Sequence, residues 1–326
     1  MSILITGGAG YIGSHMVKHL LDRGGEVLVL DNLSTGFRSA VVGAELIEGD
    51  CGSEHVLEPV FRRSGIDTIM HFASFSEVGR SVADPESYYL NNVGQGLNLI
   101  KTARALGVNN FIFSSTAAVY GNSGETKIPE STVCAPINPY GRTKLLIEQA
   151  LQDYSAAYNF SFVSLRYFNA AGAHANGGLG ERHNPETHLI PLVLQAASGR
   201  RDAVQIFGRD HKTGDGTCVR DYIHVDDLCA AHGLALNWLR DGKGSAIFNI
   251  GNGKGYSVQE IIEASRAVTK KPIKIVDAPQ RPGDPPFLVA DSELIRTKLG
   301  WQPIYPDLHS IIEHAWRWEL QKGVLW

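Results

Sequence analysis

One short stretch leaves this chain few architectures to choose from: Thr6-Gly7-Gly8-Ala9-Gly10-Tyr11-Ile12-Gly13. The apolar run Ile3-Leu4-Ile5 leads into the glycines, and Tyr11 to Leu21 carries apolar residues at helical spacing, so the local order is strand, tight turn, helix. Gly8, Gly10 and Gly13 fit G-x-G-x-x-G, in which missing side chains permit the turn, the approach of backbone to a pyrophosphate, and close packing of helix on strand. Free N–H groups and the dipole at the helix start then favour an anion. A second apolar run, Val27 to Leu30, ends in Asp31, placed to accept hydrogen bonds from an adenosine ribose. A carboxylate there would repel a 2′-phosphate, which selects NAD over NADP. Asp50, after Leu46-Ile47-Glu48-Gly49, is a further candidate at the next strand end, facing the adenine edge with Cys51 beside it, although Asp50 also suits a plain turn.

Short apolar strands alternate with helical segments through residue 170, with further strands at Thr68–Phe72, Asn110–Phe113 and Phe162–Leu165. Such alternation predicts an α/β fold, a Rossmann-type doubly wound parallel sheet whose ligands bind outside the carboxyl ends of its strands. Past about 170 the pattern gives way to loops rich in Gly, Asn, His and Pro, including 172–191 and 209–217. The expected organisation is an NAD-binding domain over 1–170, to which later segments near 220–250 return, and a smaller mixed α/β region over 171–326 that mainly binds substrate.

A net charge of −4 over 326 residues offers nucleic acid and acidic membranes no attraction. The chain starts without a basic leader or a long apolar stretch, so a cytoplasmic protein is expected. Cysteines 51, 134, 218 and 229 contain no C-x-x-C pair and read as reduced thiols. His15 and His19 share a helical face, but Met16 stands where a metalloprotease has its glutamate. No metal is expected.

A second constellation does proton chemistry. Tyr140 and Lys144 are four apart at the start of a helix that follows Pro136-Ile137-Asn138-Pro139, so they project from one face. The strand Phe111-Ile112-Phe113 delivers Ser114-Ser115-Thr116 to the carboxyl edge of the sheet, where cofactor and substrate meet. A free tyrosine, with a pKa of ~10, is a poor base at neutral pH, and a neighbouring ammonium shifts it toward phenolate. Lys144 supplies that charge and a grip on the nicotinamide ribose, while Thr116 bridges substrate hydroxyl and Tyr140.

With these motifs in place, the chain resembles the UDP-glucose 4-epimerases (UDP-galactose 4-epimerases) of the extended short-chain dehydrogenase/reductase family over nearly its whole length. The matching stretches include Thr6–His15, Asp31-Asn32-Leu33, His71-Phe72-Ala73, Tyr88–Val93, Phe113–Gly121, Pro139–Lys144, Arg166–Gly172, Pro185–Pro191, Val219–Val225 and Arg281–Asp284. The resemblance implies that Tyr140 takes the proton of the sugar 4-hydroxyl while C4 gives hydride to NAD. The 4-keto sugar then turns over in the pocket and is reduced on its other face, a step of galactose metabolism. It further implies that Asn32, Phe72, Ala73 and Asn91 adjoin the cofactor and that Phe168 flanks the nicotinamide. Asn169 contacts the sugar nucleotide, and Arg220 and Arg281 hold its diphosphate, for which a forked, permanently charged donor suits. Asp284 accepts from the uridine ribose, Phe207 stacks on uracil, and two helices per subunit, about 85–106 and 140–158, build a homodimer.

Three positions depart from the family pattern. A cofactor-contacting lysine of some members is Ser76 here, a substrate-pocket asparagine falls at His188, and a pocket tyrosine is replaced by Leu288. The smaller leucine leaves room for an N-acetyl group, so activity on UDP-N-acetylhexosamines is an alternative, as is activity on UDP-uronates. Ala117-Ala118 after Thr116 cannot transfer protons, which argues against the dehydratase and decarboxylase relatives. A non-catalytic dinucleotide sensor would have no need of Thr116, Tyr140 and Lys144.

Overall fold

The computed structural model describes residues 2–281 and 285–325. Its central sheet contains β1 (Ser2–Thr6), β2 (Glu26–Asp31), β3 (Glu45–Glu48), β4 (Ile66–His71), β5 (Asn110–Thr116), β6 (Ser161–Tyr167) and β10 (Ala246–Ile250). All are parallel, in the spatial order β3-β2-β1-β4-β5-β6-β10. The winding direction reverses between β1 and β4, and a crevice outside the strand ends opens at such a switch point.

Period-two alternation explains both layers. Ile3 and Ile5 enter the core beneath α1 (Tyr11–Leu21) and α8 (Val225–Arg240), with Met16 and Leu228. Leu4, between them, points to the other face, where it meets α2 (Glu54–Ser64), α5 (Gly96–Ala105) and α6 (Pro139–Ala157) through Leu57, Leu99 and Ile147. A strand covered on both faces must be apolar throughout, hence the unbroken runs in the sequence.

The helix expected over 85–106 is interrupted. After α3 (Val78–Ala83) come α4 (Pro85–Tyr88), one π-helical stretch at Tyr89–Gln95, and then α5. The wide turn turns Asn92 inward: its amide exchanges hydrogen bonds with the Phe75 backbone, accepting at 2.8 Å and donating at 3.0 Å, and donates to Thr143 Oγ1 at 3.1 Å.

The second unit has its own core. β7 (Asn169–Ala171), β11 (Gly255–Ser257) and β13 (Phe287–Leu288) gather around β9 (Val219–His224), while β8 (Val204–Phe207) pairs with β12 (Ile275–Ala278). Ile190, Val193, Ile261 and Ile311 pack α7 (Leu189–Ala197), α9 (Val258–Thr269) and α11 (Leu308–Leu325) together. α10 (Glu293–Leu299) instead sends Ile295 into the core of the large sheet.

Candidate functional site

The glycine loop closes at the switch point. Gly7 has φ +76°, and a Cβ there would lie 2.5 Å from the Ala73 nitrogen, so only glycine lets β1 and β4 end this close. A Cβ on Gly13 would stand 2.1 Å from the Gly7 carbonyl oxygen. Gly10 caps α1 without a side chain, and no acid occupies the first turn, which leaves N–H groups turned toward the crevice. The Tyr11 hydroxyl donates to the Gly172 carbonyl at 2.8 Å and ties this loop to the second unit, while Ile12 packs into the core.

Asp31 is buried at the end of β2. Its oxygens accept from the Ala9 N–H at 2.9 Å and the Leu33 N–H at 2.8 Å, and burial still raises its pKa above the usual carboxylate value. Asn32 reaches across to Asp50, donating at 2.7 Å, so two strand ends share one rim. Cys51 beside them is buried, its thiol pushed up to about 12 by burial, and bonds Gln95 Oε1 at 3.8 Å. Phe72 and Ala73 follow β4 directly, with Phe72 N–H donating to the Thr6 carbonyl at 2.8 Å. Asn91 donates to Asn92 Oδ1 at 2.9 Å, and Ser76 is exposed on the loop after β4.

Thr116, Tyr140 and Lys144, expected from the sequence to handle protons, lie at the carboxyl end of β5. Asn138 caps α6 by accepting from the Gly141 N–H at 2.9 Å, and Pro139 occupies the first turn, so the helix starts where Tyr140 faces the strand end. The Thr116 hydroxyl accepts from the Ala118 N–H at 3.1 Å and stands on the Tyr140 side of the strand end, while the Lys144 ammonium lies 6.0 Å from the centre of the Tyr140 ring. Burial pushes the Tyr140 phenol up to about 12, outweighing the nearby Thr116 hydroxyl, which favours phenolate. Burial likewise draws Lys144 down to about 7 against the pull of Glu148, and its ammonium donates to the Ser114 carbonyl at 2.8 Å. The neighbouring charge thus sits on a lysine that gives up its proton easily.

Strand alternation splits the three hydroxyls of β5. Ser114 bonds the Tyr167 hydroxyl on one face; on the other, Ser115 donates to Glu148 Oε1 at 2.5 Å. Glu148 pairs with Arg166, whose Nη1 donates to the Tyr120 hydroxyl at 2.9 Å, and Tyr120 donates to Asn249 Oδ1 at 2.7 Å. This buried chain braces the strand end from beneath. The sequence set Ser115 at this edge but did not anticipate the chain it belongs to, nor a role for Tyr167, whose one signal is its place at the end of β6, in register with Thr116.

Phe168 and Asn169 link β6 to β7, and Phe168 packs in one cluster with Val119, Tyr120 and Ala290, against which Leu288 also lies. Arg220 of β9 is in register with Leu288 of β13. Arg281 lies over the Phe207 ring, 4.7 Å from its centroid, so that face of the phenylalanine already carries a cation. Asp284 lies outside the described residues. His188, placed by resemblance at the substrate pocket, stands at the N-terminal boundary of α7 with Nδ1 2.8 Å from Glu181 and 3.1 Å from Glu186. Against the cost of burial these carboxylates pull it up to about 10, and they pull His183 up to about 9.

Comparison with known proteins adds independent findings. The NAD dependent epimerase/dehydratase family profile matches residues 3–251. A UDP-glucose 4-epimerase of Halalkalibacterium halodurans is 51% identical over 318 residues, 98% of this chain and 95% of that protein. The crystal structure of a UDP-glucose 4-epimerase superposes with a TM-score of 0.96 at 51% identity, over 99% of this chain and 98% of the other. The UDP-glucose 4-epimerase of Brucella ovis in complex with NAD gives 0.94 at 45% identity, over 97% of each chain.

Proposed function

The chain belongs to the NAD-dependent epimerase/dehydratase family, and we propose that it interconverts UDP-galactose and UDP-glucose at C4, an isomerase working with NAD. The residues present fit that cofactor: the Gly7 and Gly13 positions leave no room for side chains, the uncapped start of α1 offers free N–H groups to a pyrophosphate, and Asp31 ends β2 as a carboxylate. Bound NAD supplies hydride acceptance and return at the sugar C4.

The protein's part is proton transfer and orientation. Tyr140 takes the proton of the 4-hydroxyl as C4 is oxidised, with Thr116 passing it along, and later gives it back to the 4-keto sugar after the ring has turned. Lys144, held by Ser114, orients the ribose next to Tyr140. Asn169, Arg220, Arg281, Phe207 and Asp284 hold the UDP group, whose binding energy keeps the keto sugar in place while it rotates. Asn91, Phe72, Ala73, Asp50, Cys51 and Phe168 border the cofactor. We assign residues 1–170 with the β10 and α8 segment to the cofactor domain and most of 171–326 to the substrate region.

The observation that carries this reading is the convergence of Thr116, Tyr140 and Lys144 beside the switch point. The test is incubation of the purified protein with UDP-galactose and no added dinucleotide, followed by chromatography of the UDP-sugars. UDP-glucose is the expected product, and its absence even after NAD is added rejects the proposal.

Leu288, close to Phe168, favours a second substrate class, the UDP-N-acetylhexosamines. No turnover of UDP-N-acetylgalactosamine by protein that converts UDP-galactose would remove it. Among the described residues no helix is long and apolar enough to cross a membrane, and the four cysteines are free thiols, which supports a cytoplasmic setting. Val82 and Leu90, 63% and 65% exposed before α5, and Leu146, 41% exposed on α6, support a homodimer through these helices, testable by sedimentation.

A further inference from the structure

Between Gly180 and α7 the chain turns Glu181, His183, Glu186 and His188 onto one point, and one ligand atom from each lies within 4.8 Å of the others. The two carboxylates are buried, their side chains 6% and 5% exposed. His188 Nδ1 is 2.8 Å from Glu181 Oε1 and 3.1 Å from Glu186 Oε1; His183 Nδ1 is 3.4 Å and 3.6 Å from the same two oxygens. The longer pair exceeds the ordinary N–H···O range. His183 Nδ1 has no hydrogen-bond partner although it is buried, and the same holds for Glu186 Oε2. Orphaned polar atoms in such a place require an explanation.

Tetrahedral geometry provides one. Ligands about 2.0–2.2 Å from a zinc-sized ion lie roughly 3.3–3.6 Å from one another along the edges. The four nitrogen–oxygen edges measured here, 2.8–3.6 Å, fall around that value. Two imidazoles and two carboxylates are a donor set for a divalent first-row ion of borderline softness. Glu186 is also held from behind: its Oε1 accepts from the Thr187 and His188 N–H groups at 2.9 Å and 3.0 Å, the outer support that orients a ligating carboxylate. We propose that Glu181, His183, Glu186 and His188 form a closed, structural site for a divalent ion of the zinc type. The His15–His19 pair on α1 has no part in it.

Four protein ligands leave no open position, so the ion takes no part in chemistry. It fastens the 181–188 segment beside Tyr11, whose ring lies 6.4 Å from that of His183, and so couples the substrate side of the crevice to the glycine loop. It also commits Nδ1 of His188, which removes that nitrogen from contact with a sugar nucleotide.

The test uses the full chain stripped by a chelator and dialysed. Titration with zinc chloride by calorimetry should show one saturable site per chain. Cobalt(II) should bind with the intense visible absorption of a tetrahedral centre, and zinc should bleach it. His183→Gln and Glu186→Gln should each weaken affinity by more than the roughly 10–100-fold that loss of an outer partner costs, whereas His309→Gln, at an exposed position of α11, should leave it unchanged. No saturable binding, or cobalt bound with only the weak spectrum of an octahedral ion, overturns the site. Wild-type protein alone decides both points, so the result does not depend on the variants folding.

Discussion

Lys144 donates its ammonium to the backbone carbonyl of Ser114, 2.8 Å away, and this one hydrogen bond sets helix against strand. Ser114 lies two residues before Thr116 on β5, and Lys144 lies one helical turn after Tyr140 on α6. Fixing the first pair therefore sets the second side by side at the strand end. The acceptor is a carbonyl rather than a carboxylate, so burial prevails and draws Lys144 down to about 7. A positioning bond and a tuned charge come from the same atom.

Tyr140→Phe removes the hydroxyl and keeps the ring. The variant should fold, retain NAD and bind the nucleotide sugar with little change, while kcat falls by about 10²–10⁴, the usual worth of a proton-transfer group. Steady-state kinetics beside a cofactor-retention assay separate the two effects. A variant that unfolds, or one that turns over normally, rejects the assigned role.

The main sheet and the shared helix of Tyr140 and Lys144 were legible because their signals are local: unbroken apolar runs for β1 and β2, the Asn138-Pro139 start for α6, and i,i+4 spacing for the two residues. What escaped notice depends on contacts between distant segments. Asn92 acts only because a π-helical turn aims it at Phe75 and Thr143, and Ser115, Glu148, Arg166, Tyr120 and Asn249 sit on separate elements. The ligand cluster over 181–188 lies in a loop without periodicity, so no pattern announced it. Arg281 over Phe207 is likewise a tertiary fact, and it sets a cation where the family resemblance expects only a base.

Glu148→Gln tests the brace beneath the strand end. Arg166 and Glu148 have side chains only 6% and 1% exposed, and the substitution leaves a guanidinium buried without its counter-charge. Breaking such a pair costs about 3–5 kcal/mol, and replacing both partners by apolar residues of similar volume costs less. Urea unfolding of Glu148→Gln and of the Arg166→Met/Glu148→Leu double variant should rank them in that order. Equal losses in both would show that the network is not what holds β5.

Acid should destabilise the protein through histidines kept neutral inside it. Burial lowers His71 and His224 from 6.5 to about 3, and His15 and His232 to about 4. Below 6.5 the unfolded chain takes up protons that the folded one refuses, so stability is complete above 6.5 and drains away as pH falls toward 4. Each group costs up to about 1.4 kcal/mol per pH unit in that interval. Urea midpoints between pH 7 and 5 should fall steadily, and His232→Gln should reduce the slope by about one proton. An unchanged slope in that variant would show that His232 titrates normally in the folded state.

Two glycines of the loop should fail differently, which separates folding from cofactor binding. Gly13→Ala places a methyl 2.1 Å from the Gly7 carbonyl oxygen, backbone against backbone, so the turn must deform and both stability and NAD retention should be lost. Gly10→Ala meets nothing closer than that oxygen at 3.4 Å, and Gly10 has φ −80° and ψ 177°, open to any residue. Its cost to folding should be about 1 kcal/mol, that of a poorer helix cap. The new methyl nevertheless stands at the start of α1, where a pyrophosphate must approach backbone N–H groups. Purified Gly10→Ala should therefore melt near the parent protein when both are stripped of cofactor, yet hold NAD far more weakly. If it retains the dinucleotide as tightly as the parent, the anion does not bind at the head of α1, and the assignment of this crevice fails with it.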